Sequence, residues 1–189
     1  RDWYAQNGIT LHTGKRVVKI DRRNRSVQAD DGTQASYDRL LLATGSKPFI
    51  LPVPGASLPG VIGFRDIADV DAMIHAAAEY KHAVVIGGGL LGLEAANGLK
   101  LRGMDVSVVH IGSWLLDRQL DEPAARLLQQ SLEEKGLKFL LQKHTAELVE
   151  GERGRVTAVK FKDGEIIPAD LVVMAVGIRP NTALAESAG

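Results

Sequence analysis

Val84-Val85-Ile86-Gly87-Gly88-Gly89-Leu90-Leu91-Gly92-Leu93-Glu94 passes from branched apolar residues into a run of glycines and out into a helical pattern. The apolar run, bounded by glycine, has the character of a short buried strand. Residues 90–102 read as a helix that ends at Gly103, glycine being the residue that most readily takes the left-handed turn after a helix. Gly87, Gly89 and Gly92 fit the spacing G-x-G-x-x-G. In such a turn the first glycine permits the tight bend after the strand, and the second lets backbone approach a pyrophosphate. The third allows close packing of helix on strand, and the helix N-terminus faces the phosphates. Three spaced glycines alone are a weak signal, but a strand before and a helix after are the context the motif requires. Gly87, Gly88, Gly89, Leu91 and Gly92 are therefore the candidate dinucleotide-binding residues of this turn.

Working outward, residues 106–109 form a second apolar run of parallel-strand character. Asp66 caps a helix over residues 66–80, with Val70, Met73, Ile74 and Ala77 at helical spacing. A third helix is expected from about residue 123 to 135, with Leu127, Leu128 and Leu132 on one face and Gly136 at its end. Strands alternating with helices in this way argue for an α/β fold, a parallel sheet covered by helices. About 20 residues beyond the glycines the motif expects an acidic side chain for the adenosine ribose, and the sequence has His110 there. An imidazole can contact the ribose or bond local backbone. No carboxylate at that position selects against a 2′-phosphate, no adjacent arginine attracts one, and Arg118 is the nearest downstream, so NADH and NADPH stay open. Glu94 is either a helix-dipole contact in the first turn or part of the site.

The chain also repeats itself. Residues 26–48 align without gaps on residues 158–180, with seven identities that include Asp31/Asp163, Gly32/Gly164, Gly45/Gly177 and Pro48/Pro180. Each copy reads as strand, Asp-Gly turn, strand and then a buried apolar strand, Leu40-Leu41-Leu42-Ala43 or Val172-Val173-Met174-Ala175, ending at glycine. With one small gap the similarity reaches upstream, Asn7-Gly8-Ile9 resembling Lys135-Gly136-Leu137. Only the second copy is preceded by a full βαβ unit, which suggests a piece of a longer chain whose first glycine-rich unit precedes Arg1. Residues 48–63 hold four of the seven prolines and read as an extended, packed connection.

Composition narrows the function classes. Of 189 residues 45% are hydrophobic and 24% charged, enough for one sizeable core or two small ones. Lysine plus arginine and aspartate plus glutamate both number 23, so no net positive field recruits nucleic acid or an anionic membrane. No cysteine is present, which excludes a disulfide framework, a thiolate cluster or a CxxC pair within this stretch. No apolar run reaches the roughly 18 residues of a membrane span, and the expectation is a cytoplasmic protein. The five histidines, His12, His75, His82, His110 and His144, have no metal-ligand spacing, and no catalytic triad is suggested.

Three motifs, in order, carry a resemblance that spans essentially the whole chain: Ala43-Thr44-Gly45-Ser46-Lys47-Pro48, then residues 87–94, then Gly177-Ile178-Arg179-Pro180-Asn181. They resemble the pyridine-nucleotide disulfide oxidoreductases, in which an NAD(P)H domain interrupts an FAD domain. The resemblance implies a Rossmann-like NAD(P)-binding domain at residues 64–177, a partial FAD-binding domain with its connection at 1–63, and a return to the FAD domain at 178–189. It places Gly177 with the NAD(P)H residues, Glu94 near the nicotinamide and flavin, and Ala43, Thr44, Gly45 and Arg65 at the FAD. It assigns no residue here to acid–base catalysis. Within the family, residues 89–99, Arg102-Gly103-Met104-Asp105-Val106 with the following His110, and Asp117-Arg118-Gln119-Leu120-Asp121 resemble the large subunits of assimilatory NAD(P)H nitrite reductases. The segment Ile111-Gly112-Ser113-Trp114 departs from their Met-Pro-containing pattern. The resemblance implies hydride transfer from NAD(P)H to FAD, with an iron–sulfur cluster and siroheme elsewhere in the full-length protein reducing nitrite to ammonia. The rest of that chain is the expected partner, with room for a small subunit. A ferredoxin or rubredoxin reductase, an NADH oxidase and a non-catalytic nucleotide-sensing domain are the other readings.

Overall fold

A computed structural model describes residues 2–189. The chain opens with helix α1 (Asp2–Gln6), strands β1 (Val17–Asp21), β2 (Ser26–Ala29) and β3 (Gln34–Ser36), then β4 (Ser46–Pro48) and β5 (Val61–Gly63). Alternating elements follow: α2 (Ile67–Glu79), β6 (His82–Ile86), α3 (Leu90–Leu101), β7 (Asp105–Val109), α4 (Glu122–Glu134) and β8 (Lys138–Leu140). An antiparallel run of β9 (Thr145–Glu150), β10 (Val156–Phe161) and β11 (Ile166–Pro168) leads to β12 (Leu171–Met174), β13 (Ile178–Pro180) and α5 (Ala183–Glu186). These elements fall into two compact units, one of residues 2–46 with Pro180–Gly189, the other of Lys47–Arg179.

The larger unit is built on a five-stranded sheet of order β5-β12-β6-β7-β8, parallel throughout. Its strands are nearly continuous apolar runs because both faces are covered. Side chains alternate between two cores. Ala83, Val85, Val106, Val108, Leu171 and Val173 point to a cluster with Met73, Leu93, Ala96 and Leu99 of the helices. Val84, Ile86, Val109, Val172 and Met174 point to a second cluster with Leu148, Val156, Val159 and Phe161 of the antiparallel sheet β11-β10-β9. The result is three layers: helices, parallel sheet, antiparallel sheet. Burying each Val, Leu, Ile, Met or Phe among these side chains stabilises the fold by about 1.5–3 kcal/mol.

The helices begin where local chemistry favours it. Asp66 caps α2 and exchanges a capping box with Asp69, while Asp121 caps α4 through the Ala124 N–H, with a proline in the first turn. Met73, Ala76 and Ala77 of α2 face the core, whereas Val70, expected there, is exposed. In α4 the inward residues are Ala125, Leu128 and Leu132, and Leu127 is turned outward at 71% exposure because it lies off that stripe.

Residues 47–63, read from the sequence with the first segment, belong to the larger unit. Leu51, Val53, Ala56, Leu58 and Val61 pack on its second core, and β5 pairs with β12 as the sheet edge. Packing there is tight: a Cβ at Gly55 would lie 2.0 Å from the Leu148 carbonyl oxygen.

The smaller unit carries an antiparallel sheet of order β1-β2-β3. α1 ends as its glycine suggests, with Gly8 at φ +67, its N–H donating to Ala5 O and the Ile9 N–H to Tyr4 O. One strand expectation fails here. Residues 40–43 form no strand, and Leu40, Leu41 and Leu42 are 39%, 88% and 44% exposed. Residues 9–11, similar in sequence to the stretch that leads into β8, form no strand either. An apolar run becomes a strand only where neighbouring strands satisfy its backbone, and among the described residues none lies beside these two. No helix of the described residues is long and apolar enough to cross a membrane.

Candidate functional site

Strand order sets the place where a ligand can enter. From β6 the chain moves one way across the sheet to β7 and β8, then returns to lay β12 on the other side of β6. The sheet thus reverses direction between β6 and β12, and in open α/β sheets the crevice beyond the strand ends at such a point is where ligands bind. The glycine turn sits there.

Each glycine answers to a specific neighbour. Gly87 has φ +123, and a Cβ on it would lie 2.3 Å from the Ala175 carbonyl oxygen at the end of β12. A Cβ on Gly92 would lie 1.9 Å from the Gly87 oxygen, so the third glycine lets the first turn of α3 press on the loop. A Cβ on Gly88 would collide with His110 Cγ at 2.8 Å and Leu115 Cδ2 at 2.9 Å. Gly89 differs: it caps α3 at φ −85, has no side-chain capping bond, and a Cβ there would meet nothing within 4 Å. Above it the first-turn N–H groups of α3 have no carbonyl one turn back to bond. This is an anion-receptive surface of backbone donors and positive helix-dipole end.

The loop's own polar groups are largely committed to holding its shape. The Gly87 N–H donates to Val109 O at 2.8 Å, the Gly88 N–H to His110 Nδ1 at 3.2 Å, and Gly88 O accepts from the Leu116 N–H at 3.0 Å. Leu116 holds φ +54 to do so. Of the two roles open to His110, the structure displays the backbone one: its imidazole braces the glycine turn. Its Nε2 has no hydrogen-bond partner and lies 3.8 Å from Asp117 Oδ2. Leu115, Leu116 and Asp117 were not legible as loop supports, since no local pattern marks them.

Glu94 is the fifth residue of α3, and no acidic side chain lies in that helix's first turn. The dipole-contact reading of Glu94 is therefore corrected: the helix begins at Leu90, ahead of the last motif glycine, which carries Glu94 into the second turn. Its side chain is exposed. Leu91 is 41% exposed on the same first turn. Gly177, at φ +121 with nothing within 4 Å of a Cβ, follows β12 and accepts from the Phe49 N–H at 2.9 Å.

In the smaller unit, Thr44 and Gly45 are fastened to Asn181 of the last motif, and Ala43 before them is exposed. Thr44 Oγ1 donates to Asn181 O at 2.7 Å, Asn181 Nδ2 donates to Thr44 O at 2.9 Å, and the Asn181 N–H donates to Gly45 O at 2.9 Å. Gly45 takes φ +69. Asn181 was quoted only as part of its motif, and its direct clasp on Thr44 is a contact between residues 137 apart in sequence that no spacing rule anticipates. Arg65 is exposed, and its N–H donates to Asp69 Oδ2 at 2.7 Å.

A parallel sheet with a glycine-rich turn at its reversal point, interleaved with a returning meander, defines a nucleotide-dependent oxidoreductase class of protein, and the family model of the pyridine nucleotide-disulphide oxidoreductases matches residues 4–189. The chain belongs to that family. It is 56% identical over 188 residues to an NAD(P)H nitrite reductase of Bacillus subtilis, covering 100% of this chain and 23% of the relative. It is 51% identical over 189 residues to an assimilatory nitrate reductase electron transfer subunit of the same organism, covering 100% of this chain and 24% of the relative. Among solved structures, a ferredoxin reductase from Rhodopseudomonas palustris superposes with a TM-score of 0.93 at 33% identity, over 100% of this chain and 46% of that one.

Proposed function

We propose that this chain is the NAD(P)H-binding part of an FAD-dependent oxidoreductase that serves nitrite reduction in a longer protein. The observation that carries the reading is the open space above Gly89, framed by free first-turn N–H groups at the sheet reversal. Gly87, Gly88, Gly89, Leu91 and Gly92 form the pyrophosphate cradle, with His110 and Gly177 at the ends of β7 and β12 completing the dinucleotide site. Glu94, exposed and one turn along α3, faces the reacting end. Ala43, Thr44 and Gly45, held in a fixed bend by Asn181, serve the flavin; Arg65 is assigned to the same cofactor by family resemblance alone. When bound, reduced nicotinamide supplies a hydride and the flavin accepts it. The chain's residues contribute binding and orientation, and no side chain here needs to act as acid or base.

Nitrite is favoured as the terminal substrate because identity is 56% to a nitrite reductase against 33% to the ferredoxin reductase. An iron–sulfur cluster and siroheme would then lie elsewhere in the longer protein, since this chain has no cysteine. Ferredoxin reductase, NADH oxidase and a non-catalytic nucleotide sensor are the competing readings.

Calorimetric titration with NADH and NADPH, wild type against Gly89→Val, tests the core of this reading. A Cβ at this position meets nothing within 4 Å in the protein itself and its φ of −85 suits any residue, so the variant is expected to fold while its side chain occupies the cradle, with circular dichroism as the check. Binding by wild type and its loss in the folded variant is the expected result. Equal binding by both would remove the dinucleotide assignment of the turn.

A further inference from the structure

We infer that Asp117 replaces the strand-end acid that β7 lacks, and that it selects NADH over NADPH. The inference rests on the dinucleotide reading of residues 87–92. The residue after β7 is His110, whose side chain is 12% exposed and whose Nδ1 accepts from the Gly88 N–H. With Nδ1 as acceptor, the neutral imidazole carries its proton on Nε2. That nitrogen has no hydrogen-bond partner and points toward Asp117 Oδ2 at 3.8 Å. Gly112 lies beside both: a Cβ there would sit 2.7 Å from Nε2 and 2.9 Å from Oδ2, so the glycine leaves room for the two groups in this arrangement.

The two side chains divide the position. Imidazole is inner and braces the phosphate turn, while the carboxylate, 42% exposed, faces outward at the point where the motif places the adenosine ribose. A carboxylate with free lone pairs accepts from a ribose hydroxyl and repels a 2′-phosphate. Lys143 is held by Asp163 and Glu165, and Arg118 is the cation next to Asp117 in sequence.

The test measures dissociation constants for NADH and NADPH with the full chain, Asp117→Asn and Arg118→Ala, folding being checked by circular dichroism. Wild type is expected to bind NADH at least about tenfold tighter than NADPH, a specificity difference of the kind repulsion supplies. In Asp117→Asn the ratio should narrow by about fivefold or more, through tighter NADPH binding together with weaker NADH binding as the charged ribose acceptor is lost. A purely structural Asp117 would weaken both cofactors together and keep the ratio. An unmoved ratio, a wild type without preference for NADH, or a ratio that moves only in Arg118→Ala overturns the inference. Failure of wild type to bind either cofactor overturns the dinucleotide reading itself and the inference with it.

Discussion

The two copies of the repeat share a turn but part at the strand that follows. In the first, the Ala29 N–H donates to Thr33 O and the Gly32 N–H to Ala29 O; in the second, Phe161 donates to Glu165 O and Gly164 to Phe161 O. Asp31 accepts from the Thr33 N–H and Asp163 from the Glu165 N–H, and each carboxylate is clasped by a lysine two residues ahead of its first strand, Lys15 or Lys143. Beyond the turns, Val172, Val173 and Met174 are at most 1% exposed between two parallel neighbours, whereas Leu41 is 88% exposed. Hairpin geometry is written locally in Asp-Gly chemistry. A strand in a parallel sheet is supplied by its neighbours.

The strongest way to break this comparison is to place a charge on each apolar run. Val173→Asp buries an unpaired carboxylate and should cost more than about 4 kcal/mol, whereas Leu41→Asp should stay within about 0.5 kcal/mol. Urea unfolding followed by circular dichroism reads both. A large loss from Leu41→Asp would mean that residues 40–43 are packed in a way the structure does not display.

A sharper contrast compares the glycines that end the copies. Gly45 at φ +69 sits in the left-handed region that an L-residue enters at about 1–2 kcal/mol, while Gly177 at φ +121 lies where side chains are rarely found and the cost is about 2–3 kcal/mol. Gly177→Ala should therefore lower the unfolding midpoint more than Gly45→Ala. Equal losses would show the two turns to be interchangeable.

The smallest effect concerns the clasps. The Lys15 ammonium, then the Thr33 N–H, hold the Asp31 carboxyl far below the ordinary aspartate range. Lys143, then the Glu165 N–H, lower Asp163, and Asp163 with Glu165 raises Lys143 in turn. For a depressed carboxyl, the stability gained is present above the unfolded value near pH 4 and fades as pH falls toward the folded one. Both groups are exposed, so the contribution is slight. Carbon-detected NMR titration should find both carboxyls ionised below the midpoint of an unfolded aspartate; a normal midpoint at either would dissolve the equivalence of the clasps.

Local chemistry also explains what the sequence revealed and what it hid. The glycine turn, the Asp66 cap and both Asp-Gly hairpins were legible because each depends on residues within a few positions of one another. β4, β5 and β13 are three residues each, too short for a period to show, and they exist through pairing with distant strands. His110 drew attention as a departure from the acidic pattern, but its bond to Gly88 spans 22 residues. Glu94 reads as a first-turn residue by its distance from the last motif glycine, but counted from Leu90 it is the fifth residue of the helix, in the second turn.

The glycine turn also has a thermodynamic consequence. Its N–H groups at Gly87 and Gly88 are already bonded to Val109 and His110, so the cradle's shape is set when the chain folds. On the dinucleotide reading proposed above, an arriving phosphate would have no loop to order, and little of its binding energy would go into conformational entropy. Affinity would then depend on how well the phosphate fits a rigid rim, the turn acting as a mould rather than a clasp.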